Sequence, residues 1–229
     1  MPRTMLNDQH WSKLLAIFRH FNIYLKLNLR NFIEAILFRI RTGCPWRDLP
    51  QEFGKSNSIF KKYNRWSKNS KFMNIFKLFS QHADKEWIFI DGSHVRAHQH
   101  SAGIKNQSIS KSIGGNSSKI HLAIDSNGNP IEFIISDGTS HDIKVAPDLV
   151  SKLDLTESEM LCADKGYDSE SFRKKIRESN TKANIPRRSN AKSSNDDMDW
   201  YMYKIRHLVE NAFCRLKQFR GIATRYDKL

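Results

Sequence analysis

The chain has 229 residues, 39% of them hydrophobic and 11% aromatic, enough to bury a core and too many for wholesale disorder. Its 38 Lys and Arg against 24 Asp and Glu leave a net charge of +14, which points to a polyanionic partner, most often nucleic acid. No apolar run approaches the ~20 residues of a bilayer span, the N-terminus has no secretory signal, and three widely spaced cysteines (Cys44, Cys162, Cys214) argue for a reducing compartment. Membrane, secreted and collagen-like classes are excluded.

Residues 1–85 read as helical. Asn7 or Asp8 caps a helix whose apolar positions Trp11, Leu14, Leu15 and Phe18 recur at helical spacing. A second helix covers 29–42, with Phe32, Ile36, Leu37 and Ile40 inward and Gly43 at its end. A short helix over 46–53 and a turn at Gly54 precede a third, capped by Ser56, that buries Ile59, Phe60, Tyr63 and Trp66. Lys61, Lys62, Arg65 and Lys68 fall on its outer side. Short helix, glycine turn and basic helix spell a helix-turn-helix, although a plain bundle with a solvated lysine face has the same pattern. Trp46 and Trp66 read as core anchors.

After Asp84 the texture changes. Residues 87–91 are β-formers, and 119–125 and 131–136 flank an Asn127-Gly128 hairpin turn. A helix over 141–154, a strand over 160–164, a helix over 169–178, a short strand at 184–186 and a helix over 200–219 complete a mixed sheet with helices on its faces. Two polar stretches, 101–118 and 187–199, read as mobile loops. Cys162 and Cys214 read as small buried residues. His94, His98 and His100 lack the further ligands of a zinc site and read as hydrogen-bonding or DNA-facing groups.

Charge is uneven. Residues 1–85 carry +11, residues 86–170 carry −6 and residues 171–229 carry +9. An acidic centre between basic flanks suits cations held where phosphates are gripped on either side, and chance clustering gives the same numbers. Asp91 and Asp164 each end a predicted core strand, with Gly92 and Gly166 close behind. Asp-Gly is also an ordinary turn pair. On the last helix Tyr203, Arg206, Glu210 and Lys217 share an arc of about 60°, opposite Ile205, Leu208, Val209, Ala212 and Leu216. Singly, each is explained by a turn or a solvated face. Together, three carboxylates from two strand ends and a late helix are the oxygen donors that hard divalent cations take.

Asp91, Asp164 and the run Tyr203-x2-Arg206-x3-Glu210-x6-Lys217 resemble the DDE set and Tyr-Arg-Glu-Lys signature of bacterial insertion-sequence transposases, most closely the "insertion sequence five" family. The resemblance runs through GCPWRDLP (43–50), IDGSHVRAHQH (90–100), KIHLAIDSNGNPI (119–131), ADKGYDS (163–169), ANIPRR (183–188) and the segment 210–229. Relatives often continue a little beyond the point where this chain ends.

The resemblance implies an α+β chain: a helix-turn-helix-like DNA-binding region over 1–85, then an RNase H-like mixed-sheet catalytic domain over 86–229. It implies Asp91, Asp164 and Glu210 as catalytic ligands of two Mg²⁺ ions, with Mn²⁺ as a substitute. Tyr203, Arg206 and Lys217 become contacts to terminal DNA, beside Lys61, Lys62 and Arg65 of the basic helix. The expected function is a DNA transposase that binds terminal inverted repeats and cuts and joins strands. The partners are double-stranded DNA and further copies of the chain, with no membrane, in the cytoplasm of a bacterium at its nucleoid. A metal-dependent nuclease that cuts without joining, or an inert DNA-binding derivative, are the alternatives.

Overall fold

The computed structural model describes residues 3–101, 108–112, 114–191 and 193–227. They divide into two compact units, residues 1–79 with 218–223 and residues 80–217 with 224–229.

The helical unit begins with α1 (Asp8–His20), where Asn7 accepts a hydrogen bond from the His10 amide. It continues through α2 (Leu29–Thr42), α3 (Ser56–Lys68) and α4 (Lys71–Ser80). Gly43 closes α2 in the left-handed region, φ 72°, which a glycine adopts without steric cost. The predicted short helix over 46–53 is instead two 3-10 turns, Trp46–Asp48 and Gln51–Phe53, divided by Pro50. Proline has no amide to continue a helical ladder. Lys55, not Ser56, occupies the cap of α3 and makes no side-chain cap bond, so of the expected short helix, glycine turn and capped helix only the turn at Gly54 and α3 itself form as expected.

The core of this unit is aromatic. Trp66, 3% exposed, packs edge-on to Phe18 and Phe32 at ring separations of 5.9 and 5.1 Å and tilted against Phe72 at 5.5 Å. Trp46 is partly buried against Tyr63 and Phe60. Glu34, fully buried, satisfies its charge by accepting from the Met5 and Leu6 amides.

The second unit is a seven-stranded sheet. Its strands and helices run β1 (Trp87–Ala97), β2 (Ser110–Ser112), β3 (Gly115–Ile124), β4 (Pro130–Asp137), α5 (Asp142–Ser151), β5 (Met160–Cys162), α6 (Glu170–Arg177), β6 (Lys182–Asn184), α7 (Trp200–Ile205) and α8 (His207–Lys217). A last short helix, α9 (Arg220–Ala223), belongs to the helical unit, and β7 (Thr224–Arg225) returns to the sheet. The path β4-β3-β1-β5-β6 is antiparallel over its first three strands and parallel over its last three, the order of an RNase H-like sheet. The expected α+β class is what the chain adopts.

Side chains alternate across a strand, so β1 feeds two cores. Ile88 and Ile90 pack with Ala146, Leu149 and Val150 of α5 and Phe172 and Ile176 of α6. Phe89 turns the other way, with Cys162 and with Met202, Val209, Ala212 and Phe213 of α7 and α8. Helices thus cover both faces.

Several expectations need correction. Strand β1 runs six residues past Asp91, because Gly92–Arg96 pair with β3. Part of the predicted loop 101–118 is the β2–β3 hairpin, while 102–107 and 113 lie outside the described residues. In the predicted loop 187–199, Arg187 pairs with Asp197 at 3.3 Å and the Arg188 amide donates to Asp168; Lys192 lies outside the described residues. Cys162 is buried, but Cys214 is exposed on α8. The helix expected over 200–219 is broken at Arg206 into α7 and α8 and stops at Lys217. At the break the Arg206 amide reaches back three residues to Tyr203, and Val209 does the same to Arg206, which tightens the turn. No helix among the described residues is long and apolar enough to cross a membrane.

Candidate active site

Register places the first two acids. Phe89 of β1 pairs with Cys162 of β5, and the strands are parallel. Asp91 and Asp164 each lie two residues further on, so they stand side by side and share the face of Phe89 and Cys162, toward α7 and α8. The Gly92 amide donates to Asp91 Oδ1 at 2.7 Å, and the Gly166 amide to Asp164 Oδ1 at 2.7 Å. Each carboxylate is thereby held by a backbone amide one or two residues further on.

Arg206 joins the helices to this row. Its Nη1 donates to Asp91 Oδ2 at 3.0 Å and its Nη2 to Glu210 Oε1 at 2.6 Å. The guanidinium also lies 5.8 Å from the Tyr203 ring centre. Lys217, two turns beyond Glu210, donates to Ser93 Oγ at 2.6 Å. Helix and strand are therefore linked at both ends of the polar arc. Glu210 is 55% exposed, whereas Asp91 and Arg206 are mostly covered.

The electrostatics follow from this crowding. Burial raises the pKa of Asp91, and the charge of nearby Asp164 raises it further; the Gly92 amide and Arg206 pull the other way. Burial works against the charge on Arg206, but Asp91, Glu210, Tyr203 and Asp164 outweigh it and hold the guanidinium more firmly protonated. Asp91, Asp164, Tyr203, Arg206 and Glu210 form one electrostatic cluster.

A second polar network stands behind the row, on the α5 face. Lys119 Nζ donates to Asp142 Oδ2 at 2.6 Å, His121 Nδ1 lies 3.2 Å from Asp142 Oδ1, and the Tyr167 hydroxyl donates to the same oxygen at 3.4 Å. Burial opposes the charge of Asp142, yet His121 and Lys119 bring its pKa down to about 2. A methyl group at Gly92 would strike Asp142 Oδ1, so glycine is what lets this carboxylate seat directly behind Asp91. In the sequence, His141-Asp142 reads as the start of the helix over 141–154, with a place near the catalytic edge as the alternative; the structure puts Asp142 at the first turn of α5 and against Gly92. Alternating polar residues in a strand, Lys119 and His121, were the available signal for more.

Of the remaining expected residues, Lys61, Lys62 and Arg65 lie on α3 in the helical unit and line one pocket. His94 Nε2 lies 3.0 Å from the Gly138 carbonyl, and His98 stacks on Tyr226.

The strand order is that of the RNase H-like fold, with Asp91 inside β1 and Asp164 two residues past the end of β5. A family model described as "Transposase DDE domain" matches residues 82–229, and one described as "Putative transposase of IS4/5 family" matches residues 6–76. The chain belongs to the DDE transposase family of bacterial insertion sequences.

Over 80 residues it is 38% identical to "Uncharacterized protein y4sN" of Sinorhizobium fredii, covering 35% of this chain and 64% of that one, which is less than two thirds of the relative's length. Over 111 residues it is 35% identical to the "Putative transposase for insertion sequence element IS6501" of Brucella ovis, covering 48% of this chain and 83% of that one. Among solved structures it is similar to the piggyBac transposase synaptic complex with hairpin DNA (14% identity, 80% of this chain and 48% of that chain, TM-score 0.39). It is also similar to the Mos1 transposase paired-end complex with left transposon end (8% identity, 97% and 90%, TM-score 0.32).

Transposases of this family generally use divalent metal ions. In kind, the donors fit a hard cation: two fixed carboxylates in one row and a third tied to the first through a guanidinium. In place, Arg206 sits between Asp91 and Glu210, and among the described residues no three His, Cys, Asp or Glu side chains are gathered into a metal-holding group.

Proposed function

We propose that the chain is a DNA transposase that binds the terminal inverted repeats of its own element and catalyses strand cleavage and strand transfer. One observation carries the reading: Asp91 and Asp164 each follow the Phe89–Cys162 pair of parallel β1 and β5 by two residues, and Asp164 acts on the charge of Asp91, while Arg206 ties Glu210 to Asp91. The catalytic set is Asp91, Asp164 and Glu210. These carboxylates would hold two divalent cations, Mg²⁺ with Mn²⁺ as a substitute, which when bound supply Lewis-acid stabilisation of charge on the phosphoryl oxygens.

The chain's own residues do the rest. Arg206 offers a planar fork of donors that matches a phosphate, and Lys217 sets a second cation on the same arc. Tyr203 supports the guanidinium with its ring. Lys61, Lys62 and Arg65, in the region 1–85, hold the DNA backbone. Water attacks the phosphodiester at an element end, and the leaving oxygen departs as a 3′-hydroxyl. That hydroxyl then attacks a target phosphodiester, so one P–O bond forms for each that breaks and no ATP is consumed. Two element ends are joined in concert, which calls for an assembly of at least two copies on DNA in the bacterial cytoplasm.

The test is a strand-transfer assay with labelled DNA from either flank of the coding sequence, Mg²⁺ and a target plasmid. Joined product is the expected result. Cutting without joining assigns a nuclease instead, and binding without cutting an inert DNA-binding protein.

A further inference from the structure

The helical unit holds a cationic pocket, and the loop that lends it Tyr24, Lys26 and Asn28 also carries the exposed Leu25 and Leu27. Its volume is about 370 Å³, and its lining includes Lys26, Lys61, Lys62, Arg65 and Lys71, with Tyr24 and Trp66. No acidic residue lines it. The acids of the helical unit are few and some are committed elsewhere, Asp8 to Arg30 and Glu34 to two backbone amides. Instead the cations rest on rings: Lys62 Nζ lies 4.2 Å from the centre of Phe32, and Lys71 Nζ 5.7 Å from that of Trp66. At Lys62 burial lowers the pKa, and the charges of Arg65, Lys26 and Lys71 lower it further. An anion in the pocket would offset those charges.

The loop is held at both ends and open at its tip. Ile23 and Leu29 are buried, the Ile23 amide donates to Phe18 and the Leu29 amide to Lys26. Between them Tyr24 is 79% exposed, and Leu25 and Leu27 are exposed as well. Single exposed apolar residues are ordinary, but three on one tight loop, beside five cations, are not. A self-interface through this face would bring five cations against five more.

We infer that the pocket takes a DNA backbone phosphate and that the Tyr24–Leu27 loop is a wedge which enters the adjacent groove and unstacks a base step. Apolar side chains flanked by cations are the chemistry that does this, desolvating against base faces while the phosphates are held alongside. The wedge rests on the DNA-binding reading above and adds distortion to it.

The experiment uses the full chain and duplexes from the DNA flanking its coding sequence. Affinity is followed by anisotropy across a salt series, and thymine stacking by permanganate reactivity. Wild type is expected to make thymines at one step reactive. Leu27→Ser should abolish that reactivity and weaken binding roughly tenfold while the salt slope and melting temperature stay put. Lys71→Gln should lower the slope by about one, the value for one phosphate contact. Binding with no reactive thymine, or with reactivity unchanged in Leu27→Ser, overturns the wedge and leaves the DNA reading standing. An unchanged slope in Lys71→Gln overturns the pocket as the phosphate site. A change of oligomeric state in Leu27→Ser, seen by light scattering with the thymine signal intact, reassigns the loop to a second copy of the chain. No binding to either flank overturns the DNA reading itself.

Discussion

The two units treat charge in opposite ways. In the helical unit two of the pocket cations, Lys62 and Lys71, stand on aromatic faces without a carboxylate partner among the described residues. In the sheet unit the cations are matched: Arg206 to Asp91 and Glu210, Lys119 to Asp142, and buried Arg173 to Asp168 at 2.8 Å. The pocket leaves its charge for something outside the chain, and the sheet unit uses these three cations to hold acids in position. Net charge alone would have assigned the same role to both.

The contrast can be tested from its largest effect to its smallest. Trp66→Ala removes the ring on which the helical unit closes and should cost about 3–5 kcal/mol, read by chemical denaturation. Glu210→Gln should leave DNA affinity unchanged in the anisotropy assay yet slow cleavage and joining by about 10²–10³-fold, the scale for losing one preorganised electrostatic group. Equal activity would remove Glu210 from the catalytic set.

Asp142 probes the matched charges by acid. Its folded pKa of about 2 lies below the ordinary 3.8, so its ion pairs add stability above pH 3.8 that disappears as pH falls through about 2. Asp142→Asn should therefore lower stability at neutral pH by about 2 kcal/mol and flatten that acid limb. Asp91 has the opposite sign: its raised pKa makes stability fall, not rise, as pH climbs through its titration. Gly92→Ala, which pushes a methyl into Asp142, should cost about 1–3 kcal/mol. Smallest of all, Glu170→Gln breaks an exposed pair with Arg177 and should cost under about 1 kcal/mol.

Much of this was legible in the sequence where the cause is local. The Asn127-Gly128 hairpin forms, with Gly128 at φ 78°, and Gly43 ends α2 as its position predicts. The strand segments that lead to Asp91 and Asp164 could be read from their β-formers. Their adjacency could not, because it depends on which strands pair and in what register. Polar Ser93, His94 and Arg96 look like loop until β3 is beside them. The break at Arg206 is likewise invisible to a helical wheel, which draws Tyr203 to Lys217 on one rigid cylinder. Ion pairs to a residue 115 positions earlier accompany the bend. Exposure of Cys214 escaped notice because its helix was oriented only by its larger apolar side chains.

The short helix α9 lies against the end of α2, so close that a Cβ on Gly221 would stand 3.0 Å from the Ile40 carbonyl and one on Gly43 3.3 Å from Arg220 Cβ. Residues 218–223 thus complete a body whose other members were all synthesised by residue 79. On the ribosome, the early helices must wait for residues 80–217 to be made before their last wall arrives. A chain released before Arg220 would carry the acidic row and the basic pocket alike, and still leave that seam open.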